Sequence, residues 1–192
     1  FMLTKGASTP GPWLETLAAD TGRPVIVAAL LHNSTDPDKV FEDLDGIEAA
    51  RSRGNQMWGQ VSCCPLSTEF SLRAPYPFEG IAAWKPAMQA DSEESYKALL
   101  ADLSFRDAIR AELTRPAVVR LFNNEWEKLS VIETVLAKNQ GIENCTLAEL
   151  AQDRHTDPLD FLLDLALEEN LDTTFLSILL NSDEDAVARL LT

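Results

Sequence analysis

An uninterrupted apolar run from Val25 to Leu31 is the clearest structural signal in this 192-residue chain. The run is short, begins with β-branched residues and does not alternate with polar positions, which is typical of a parallel strand buried on both faces. Asp36-Pro37 then begins a helix with an apolar side, and a second strand is predicted from Gln56 to Ser62. Strand, amphipathic helix and strand in this order predict a βαβ unit with parallel strands.

The residues around this unit predict little that would complete a sheet. Residues 1–12 contain several glycines and prolines and are expected to be an irregular lead-in, followed by a short helix from Trp13 to Asp20. A single βαβ unit leaves both edges of a two-stranded parallel sheet exposed. We therefore expect strands from elsewhere, and self-association through the exposed strand edges.

The pattern changes after Pro65. Prolines at positions 75, 77 and 86 stand among aromatic residues, which predicts an ordered loop that packs its own aromatic side chains. From Ser92 onward helical signals dominate, among them a capping box at Thr146 and Glu149, a turn at Pro116, and an amphipathic stretch from Trp126 to Leu136. The predicted division is a βαβ segment (1–66), an ordered loop (67–91) and an all-helical segment (92–192).

Charge and composition narrow the classes of partner. The 31 acidic and 16 basic residues give a formal charge of −15, which repels nucleic acid and anionic membranes. No apolar stretch is long enough to cross a membrane, and no basic-then-apolar leader precedes the first strand. The expectations are a cytoplasmic protein with no nucleic-acid or membrane partner.

The three cysteines, Cys63, Cys64 and Cys145, do not form a disulfide framework, because their number is odd and two are adjacent. Without a CxxC pair or nearby histidines, a zinc knuckle has little support. A thiolate nucleophile at the adjacent pair would need a base that the sequence does not identify, and buried small hydrophobes are the alternative interpretation.

His32 is the candidate metal ligand, because it stands directly after the predicted buried strand. Parallel α/β folds place ligands and catalytic groups at the carboxyl ends of their strands, and a neutral imidazole there could bind a divalent metal. The alternative is a histidine that caps the strand end by hydrogen bonds. With two histidines, a three-histidine zinc site cannot be built from this chain alone.

Two other groups suggest chemistry less specifically. Asp160, Asp164 and Glu168 fall on one helix face and could form an acidic metal patch, or only the solvated side of an apolar helix. His155 stands between two predicted helices, where helix capping or solvent exposure explains it. No phosphate-binding glycine loop, nucleophile elbow or HExxH motif occurs.

Several segments, taken in order, resemble the N-acyl-D-amino-acid deacylases of the amidohydrolase superfamily. The likeness extends over nearly the whole chain. Each local motif has low specificity by itself, and the order of the motifs along the chain is the specific feature. The segments that carry it are Leu30-Leu31-His32, Ile47 to Gly54, Gln60 to Leu66, Pro75-Tyr76-Pro77-Phe78, Leu100-Ala101-Asp102 with Phe105-Arg106, Asp157-Pro158-Leu159-Asp160, Leu167 to Leu171, and Asn181 to Asp185.

This resemblance implies an α/β fold, namely part of a (β/α)8 barrel. Residues 1–66 would supply about strands six and seven, and a large all-helical C-terminal segment would precede strand eight. It also implies hydrolysis of the amide bond of an N-acylated D-amino acid, a small-molecule substrate, with Zn2+ or another divalent metal in the intact parent protein. The family's His-x-His pair is absent, and its final-strand aspartate would fall beyond Thr192. We therefore expect an internal fragment that is inactive alone and binds no metal, with His32 as the one ligand carried over.

Two alternatives remain open from the sequence. The helical part could be a free-standing acidic interaction module without catalysis, which would meet a basic partner. The chain could also be an inactive barrel relative that binds an acylated ligand without cleaving it.

Overall fold

The computed structural model describes residues 1–6, 8–115 and 120–192. It divides into two compact units, each of which is described by itself. Unit 1 comprises Phe1–Leu66 and Leu180–Thr192, and unit 2 comprises Ser67–Leu179. The turn expected at Pro116 lies outside the described residues. The division of the chain into domains 1–66, 67–91 and 92–192 stays a prediction.

Strands and short helices alternate irregularly along the chain, with several 3-10 turns between them. None of the helices in the described ranges is both long and apolar enough to cross a bilayer. The elements in chain order are β1 (Met2–Leu3), α1 (Gly11–Thr21), β2 (Val25–Leu30), α2 (Lys39–Ser52), β3 (Met57–Val61), β4 (Leu66–Phe70), α3 (Lys85–Met88), α4 (Glu93–Ala101), α5 (Leu103–Leu113), β5 (Leu129–Glu133), α6 (Leu147–Asp153), α7 (Pro158–Glu168), β6 (Thr174–Leu180) and α8 (Glu184–Leu191).

The predicted βαβ unit is confirmed in unit 1. β2 and β3 pair in parallel, with Ile26 opposite Trp58, and α2 connects them. Gly59 in β3 leaves room for the side chain of Leu30. A Cβ atom added at Gly59 would lie 2.5 Å from the Cδ1 atom of Leu30. The strand pair and its crossover helix therefore fit together as the apolar pattern predicted.

The expectation of a two-stranded sheet with two open edges is wrong, because the lead-in contributes a strand. β1 pairs in parallel with β2 and places Met2 opposite Ile26, which gives the sheet order β1-β2-β3. A two-residue strand is too short to show a hydrophobic pattern in the sequence. β1 forms because it pairs with the otherwise exposed edge of β2. The core of unit 1 lies between this sheet and its helices and consists of Leu14, Ala18, Val25, Val27, Leu30, Val40, Ile47, Ala50, Met57 and Leu190.

The prediction that residues 92–192 are all helical is wrong. Unit 2 contains a second three-stranded sheet in the order β4-β6-β5, in which β5 and β6 are antiparallel. Along β6 the residues alternate between buried and half-buried, but nearly all are apolar, so the period of two is hidden in the sequence. The interaction-module alternative assumed an all-helical part, and this sheet removes that assumption.

The proline-rich segment contains most of the unpredicted strand β4. Three of its aromatic side chains are buried, whereas Tyr76 is 51% exposed: the Phe78 ring stacks on Trp84 at a centroid distance of 5.1 Å, and Phe70 stacks on Phe175 at 5.5 Å. These contacts join the segment to the core of unit 2. The two sheets formed by the described residues are open, and membership of a (β/α)8 barrel stays a prediction.

Two helices in unit 2 begin directly after the capping residues that the sequence predicted. The Thr146 hydroxyl accepts the backbone N–H of Glu149, whose carboxylate accepts from Thr146 in return, so the predicted capping box is confirmed. Asp157 accepts the N–H groups of Leu159 and Asp160 at the start of α7. Local capping signals therefore positioned these helices correctly.

Candidate functional site

His32 lies two residues beyond β2, at the carboxyl edge of the parallel sheet of unit 1, and is 6% exposed. Its backbone is fixed on both sides by one residue. The N–H group of His32 donates to Asn181 Oδ1 at 3.3 Å, and its carbonyl accepts the N–H group of Asn181 at 2.8 Å. The position of the imidazole is therefore set by the ordered end of a strand.

Asn181 also ties the end of β3 to this edge. Its Nδ2 atom donates to the carbonyl of Ser62 at 2.6 Å and to that of Cys64 at 3.2 Å. Its φ of 63° lies in the left-handed region, which asparagine tolerates better than most residues. One buried amide thus connects the residues that follow β2 and β3. The sequence indicated Asn181 only as the first residue of one segment that carries the resemblance.

The imidazole lines a cavity of about 290 Å3 together with Asp38, Phe41, Asp185 and Arg189. Its ring centroid lies 6.4 Å from that of Phe41, and the Arg189 guanidinium lies 3.6 Å from the centre of the same Phe41 ring. The cavity therefore presents an imidazole, an aromatic wall, a cation and carboxylates. This composition suits a small polar molecule better than an apolar one.

Among the described residues, the side chains around His32 do not form a complete site for a divalent metal. A catalytic zinc ion takes three protein ligands. Within residues 1–6, 8–115 and 120–192, no group of three or more His, Cys, Asp or Glu side chains is arranged to hold a metal ion. Asp183 beside the cavity is engaged as a helix cap, since its carboxylate accepts the N–H group of Ala186 at 2.9 Å. His32 fits as one ligand, and the others would have to come from outside the described residues.

The interpretation of Cys63 and Cys64 as buried small hydrophobes is wrong, because both side chains are exposed. They follow the end of β3, where the chain has left the sheet, and their Sγ atoms lie 3.9 Å apart. The contact with Cys63 raises the pKa of the Cys64 thiol, since it favours the protonated form and two adjacent thiolates would repel each other. This is the opposite of what a thiolate nucleophile needs.

The acidic stripe on α7 is engaged in ion pairs. The buried guanidinium of Arg106 donates to Asp160 at 3.1 Å and to Asp164 at 2.7 Å. The carboxylate of Glu168 accepts from Lys138 and from Asn139. These contacts favour the interpretation of the stripe as a solvated helix face with ion pairs over a metal patch.

His155 is exposed and lies in unit 2, in the turn between α6 and α7. Its backbone has a φ of 52°, and its N–H group donates to the carbonyl of Gln152 at 3.1 Å. This backbone arrangement explains the residue as part of a turn.

A larger cavity of about 420 Å3 in unit 1 was not predicted from the sequence. Leu14, Ile47 and Met57 form part of its apolar lining, and its charged residues are paired. Arg53 donates to both oxygens of Glu15 at 2.7 Å, which lowers the pKa of that carboxyl group. The other charged side chains of this lining form the ion pairs Lys5–Asp43 and Lys39–Glu42.

Comparison with known proteins gives a remote structural likeness. No family model and no curated protein sequence matches the chain. Two crystal structures are similar to it: an N-acyl-D-glutamate deacylase from Bordetella bronchiseptica, complexed with zinc and a phosphonate inhibitor (13% identity, TM-score 0.41), and a D-aminoacylase described as defining a novel subset of amidohydrolases (13% identity, TM-score 0.37). Each alignment covers 98% of this chain and 28% of the other, so the chain spans about a quarter of their length.

The Asn181 side chain is expected to stabilise unit 1 through its three hydrogen bonds. Replacing it with alanine removes three hydrogen bonds and leaves a left-handed backbone without asparagine, so we expect the free energy of unfolding to fall by about 2 kcal/mol. Asn181→Gly is the control, since it removes the same hydrogen bonds without the conformational strain. Urea denaturation should give the order wild type, glycine variant, alanine variant. An alanine variant as stable as wild type would contradict the role assigned to Asn181.

Proposed function

We propose that this chain is a segment of a metal-dependent amidohydrolase that hydrolyses the amide bond of N-acylated D-amino acids. The observation that carries the proposal is the position of His32, a buried histidine directly after a strand of a parallel sheet. That edge of a parallel α/β fold is where catalytic groups and ligands gather.

The order of segments along the chain supports the same proposal. The residues that resemble the deacylase family include the ends of both longer parallel strands, at His32 and at Ser62 to Pro65. Asn181, which belongs to another segment of the resemblance, connects these two strand ends by hydrogen bonds. Within unit 1, Asn181 therefore joins the two strand ends that carry the resemblance.

The metal would be Zn2+ or another divalent ion, which supplies Lewis-acid chemistry when bound. His32 would be one of its ligands, and the remaining ligands and the acid–base group would come from other parts of the longer protein. In the proposal the small-molecule substrate is an N-acylated D-amino acid, and the chain by itself has little or no activity. Self-association through the outer edge of β3 belongs to the same proposal.

The test begins with the DNA on both sides of this coding segment. We expect a His-x-His pair on a predicted strand upstream and an aspartate after a further strand downstream. The protein expressed from that longer reading frame should release free D-amino acid from N-acyl-D-amino acids and should lose this activity after treatment with a chelator. A longer protein that holds metal but leaves these amides intact would overturn the substrate, and stop codons at both ends would overturn the fragment.

A further inference from the structure

The loop after β3 brings two thiols to one place on the surface of unit 1. Side chains of consecutive residues in a strand point to opposite faces, so adjacent cysteines within a strand would hold their sulfurs apart. Cys63 and Cys64 lie beyond the strand end, and their Sγ atoms lie 3.9 Å apart. The loop therefore presents both sulfurs to the same volume of solvent.

Hydrogen bonds from two side chains hold this loop in shape. The Ser62 hydroxyl accepts the N–H group of Cys64 at 3.2 Å and lies 3.0 Å from the Cys64 carbonyl, to which it donates. Asn181 Nδ2 donates to the same carbonyl at 3.2 Å. The backbone of Cys64 is thus fixed on both its N–H and its carbonyl group, and part of the ordering needed to bring the sulfurs together is already present.

Geometry favours a chelated ion over a disulfide at this pair. Consecutive Cα atoms are about 3.8 Å apart across a trans peptide, which is shorter than the roughly 4.4–6.8 Å that disulfides span without strain. Two sulfurs that bind the same metal ion at about 2.3 Å lie at most about 4.6 Å apart. The observed separation of 3.9 Å is within that limit.

We propose that Cys63 and Cys64 form a chelating dithiol site for a thiophilic ion that is satisfied by two thiolates. Thiolate ligands select soft ions such as Cu+, and trivalent organoarsenicals belong to the same class because they form two bonds to sulfur. In the part of the chain that the structure describes, no third His, Cys, Asp or Glu joins this pair in a metal-binding group. A structural zinc ion takes four protein ligands, of which this pair supplies two. This proposal does not depend on the proposed deacylase function.

Phenylarsonous acid is the probe that reports on such a pair. Each Sγ atom forms a bond to arsenic, the two As–OH bonds break, and two water molecules leave with the thiol protons. Arsenic stays trivalent throughout, so the reaction needs no oxidant or reductant. A single cysteine forms only one such bond and loses the probe to competing monothiols, whereas the second bond of a pair is intramolecular and holds it.

The test measures retention of the probe on the intact chain by native mass spectrometry in excess monothiol. We expect one probe for each wild-type chain, none on Cys63→Ser or Cys64→Ser, and one on the Cys145→Ser control, because Cys145 is not paired with another cysteine. Retention by either single variant of the pair, or loss in the Cys145 variant, would overturn the assignment. A wild-type chain without the probe would overturn it as well.

A variant of Ser62 tests whether the fold of the loop, and not only the adjacency of the two cysteines in the sequence, forms the site. Ser62→Ala removes the hydroxyl that holds Cys64 and leaves both thiols in place. We expect its affinity for phenylarsonous acid to fall about five-fold, the effect of losing one or two hydrogen bonds. An unchanged affinity in this variant would show that the loop does not preorganise the sulfurs, and would contradict that part of the proposal.

Discussion

Replacing His32 with alanine in the longer protein is expected to reduce both its metal content and its hydrolysis of N-acyl-D-amino acids, the latter by at least about 100-fold. The imidazole would be one of only a few ligands, so its loss leaves the ion incompletely coordinated. Because Asn181 fixes both backbone groups of His32, the fold is expected to hold the ring in one place. Metal analysis after dialysis and kcat/KM on the same samples check the result.

Two further variants separate ligation from packing. His32 is buried beside Phe41, so a truncation also leaves a cavity. His32→Gln keeps most of the volume but removes the imidazole, and it should lose metal and activity as the alanine variant does. His155→Asn is the matched control, because this histidine is exposed and asparagine tolerates its positive φ. Full metal content in the His32→Ala protein would refute ligation by His32.

The parallel unit was predictable because its signals are local. The run from Val25 is apolar without interruption, and Asp36-Pro37 marks the following helix within a few residues. Each feature depends on neighbours in the sequence, and the observed strands and crossover helix agree with them. The caps at Thr146 and Asp157 were predictable for the same reason.

The second sheet was not predictable in this way, because its strands depend on distant partners. β5 was interpreted as part of an amphipathic stretch from the spacing of Trp126, Leu129 and Ile132, although Leu129 and Val131 are the buried pair. Leu129 pairs with Ser177 of β6, and the apolar residues of β6 hide its alternation. Tertiary pairing therefore decided a structure for which the local pattern was ambiguous.

The candidate site likewise has features that the local sequence predicted and features that depend on distant residues. The place of His32 at a strand end followed from the sequence, but the role of Asn181 did not, because its partners His32 and Ser62 lie far away along the chain. Cys63 and Cys64 were interpreted as buried small hydrophobes because the sequence identified no base for a thiolate nucleophile. The exposed loop that carries them depends on hydrogen bonds that no local pattern reveals.

Glu169 is expected to be the charged residue of unit 2 whose replacement lowers the free energy of unfolding the most. It follows α7, is 2% exposed, and its carboxylate accepts four hydrogen bonds. The donors are the backbone N–H groups of Val135 and Leu136 at 3.1 Å, Asn139 Nδ2 at 2.9 Å and the Thr173 hydroxyl at 2.7 Å. In Glu169→Gln the amide nitrogen would face donors, so we expect the free energy of unfolding at pH 7 to fall by about 3 kcal/mol.

The pH dependence of this loss of stability distinguishes the effect of the charge of Glu169 from the effect of its side-chain shape. Burial raises the pKa of Glu169, but the hydrogen bonds from Asn139, Thr173 and the two backbone groups outweigh burial and hold the pKa below its ordinary value of 4.5. The stability from this carboxylate is therefore fully present above pH 4.5 and is lost as the pH falls through the lowered pKa. The difference between wild type and Glu169→Gln should shrink over the same range.

Glu168→Gln is the control for Glu169, because it makes the same change of charge at the adjacent position. The side chain of Glu168 is 41% exposed and pairs with Lys138 at the surface, so its replacement should change the free energy of unfolding by less than about 1 kcal/mol. Denaturant unfolding of both variants between pH 3 and pH 7 makes the comparison. Equal losses in the two variants would mean that net charge, rather than the four buried hydrogen bonds, accounts for the effect, whereas a loss confined to Glu169 assigns it to those bonds.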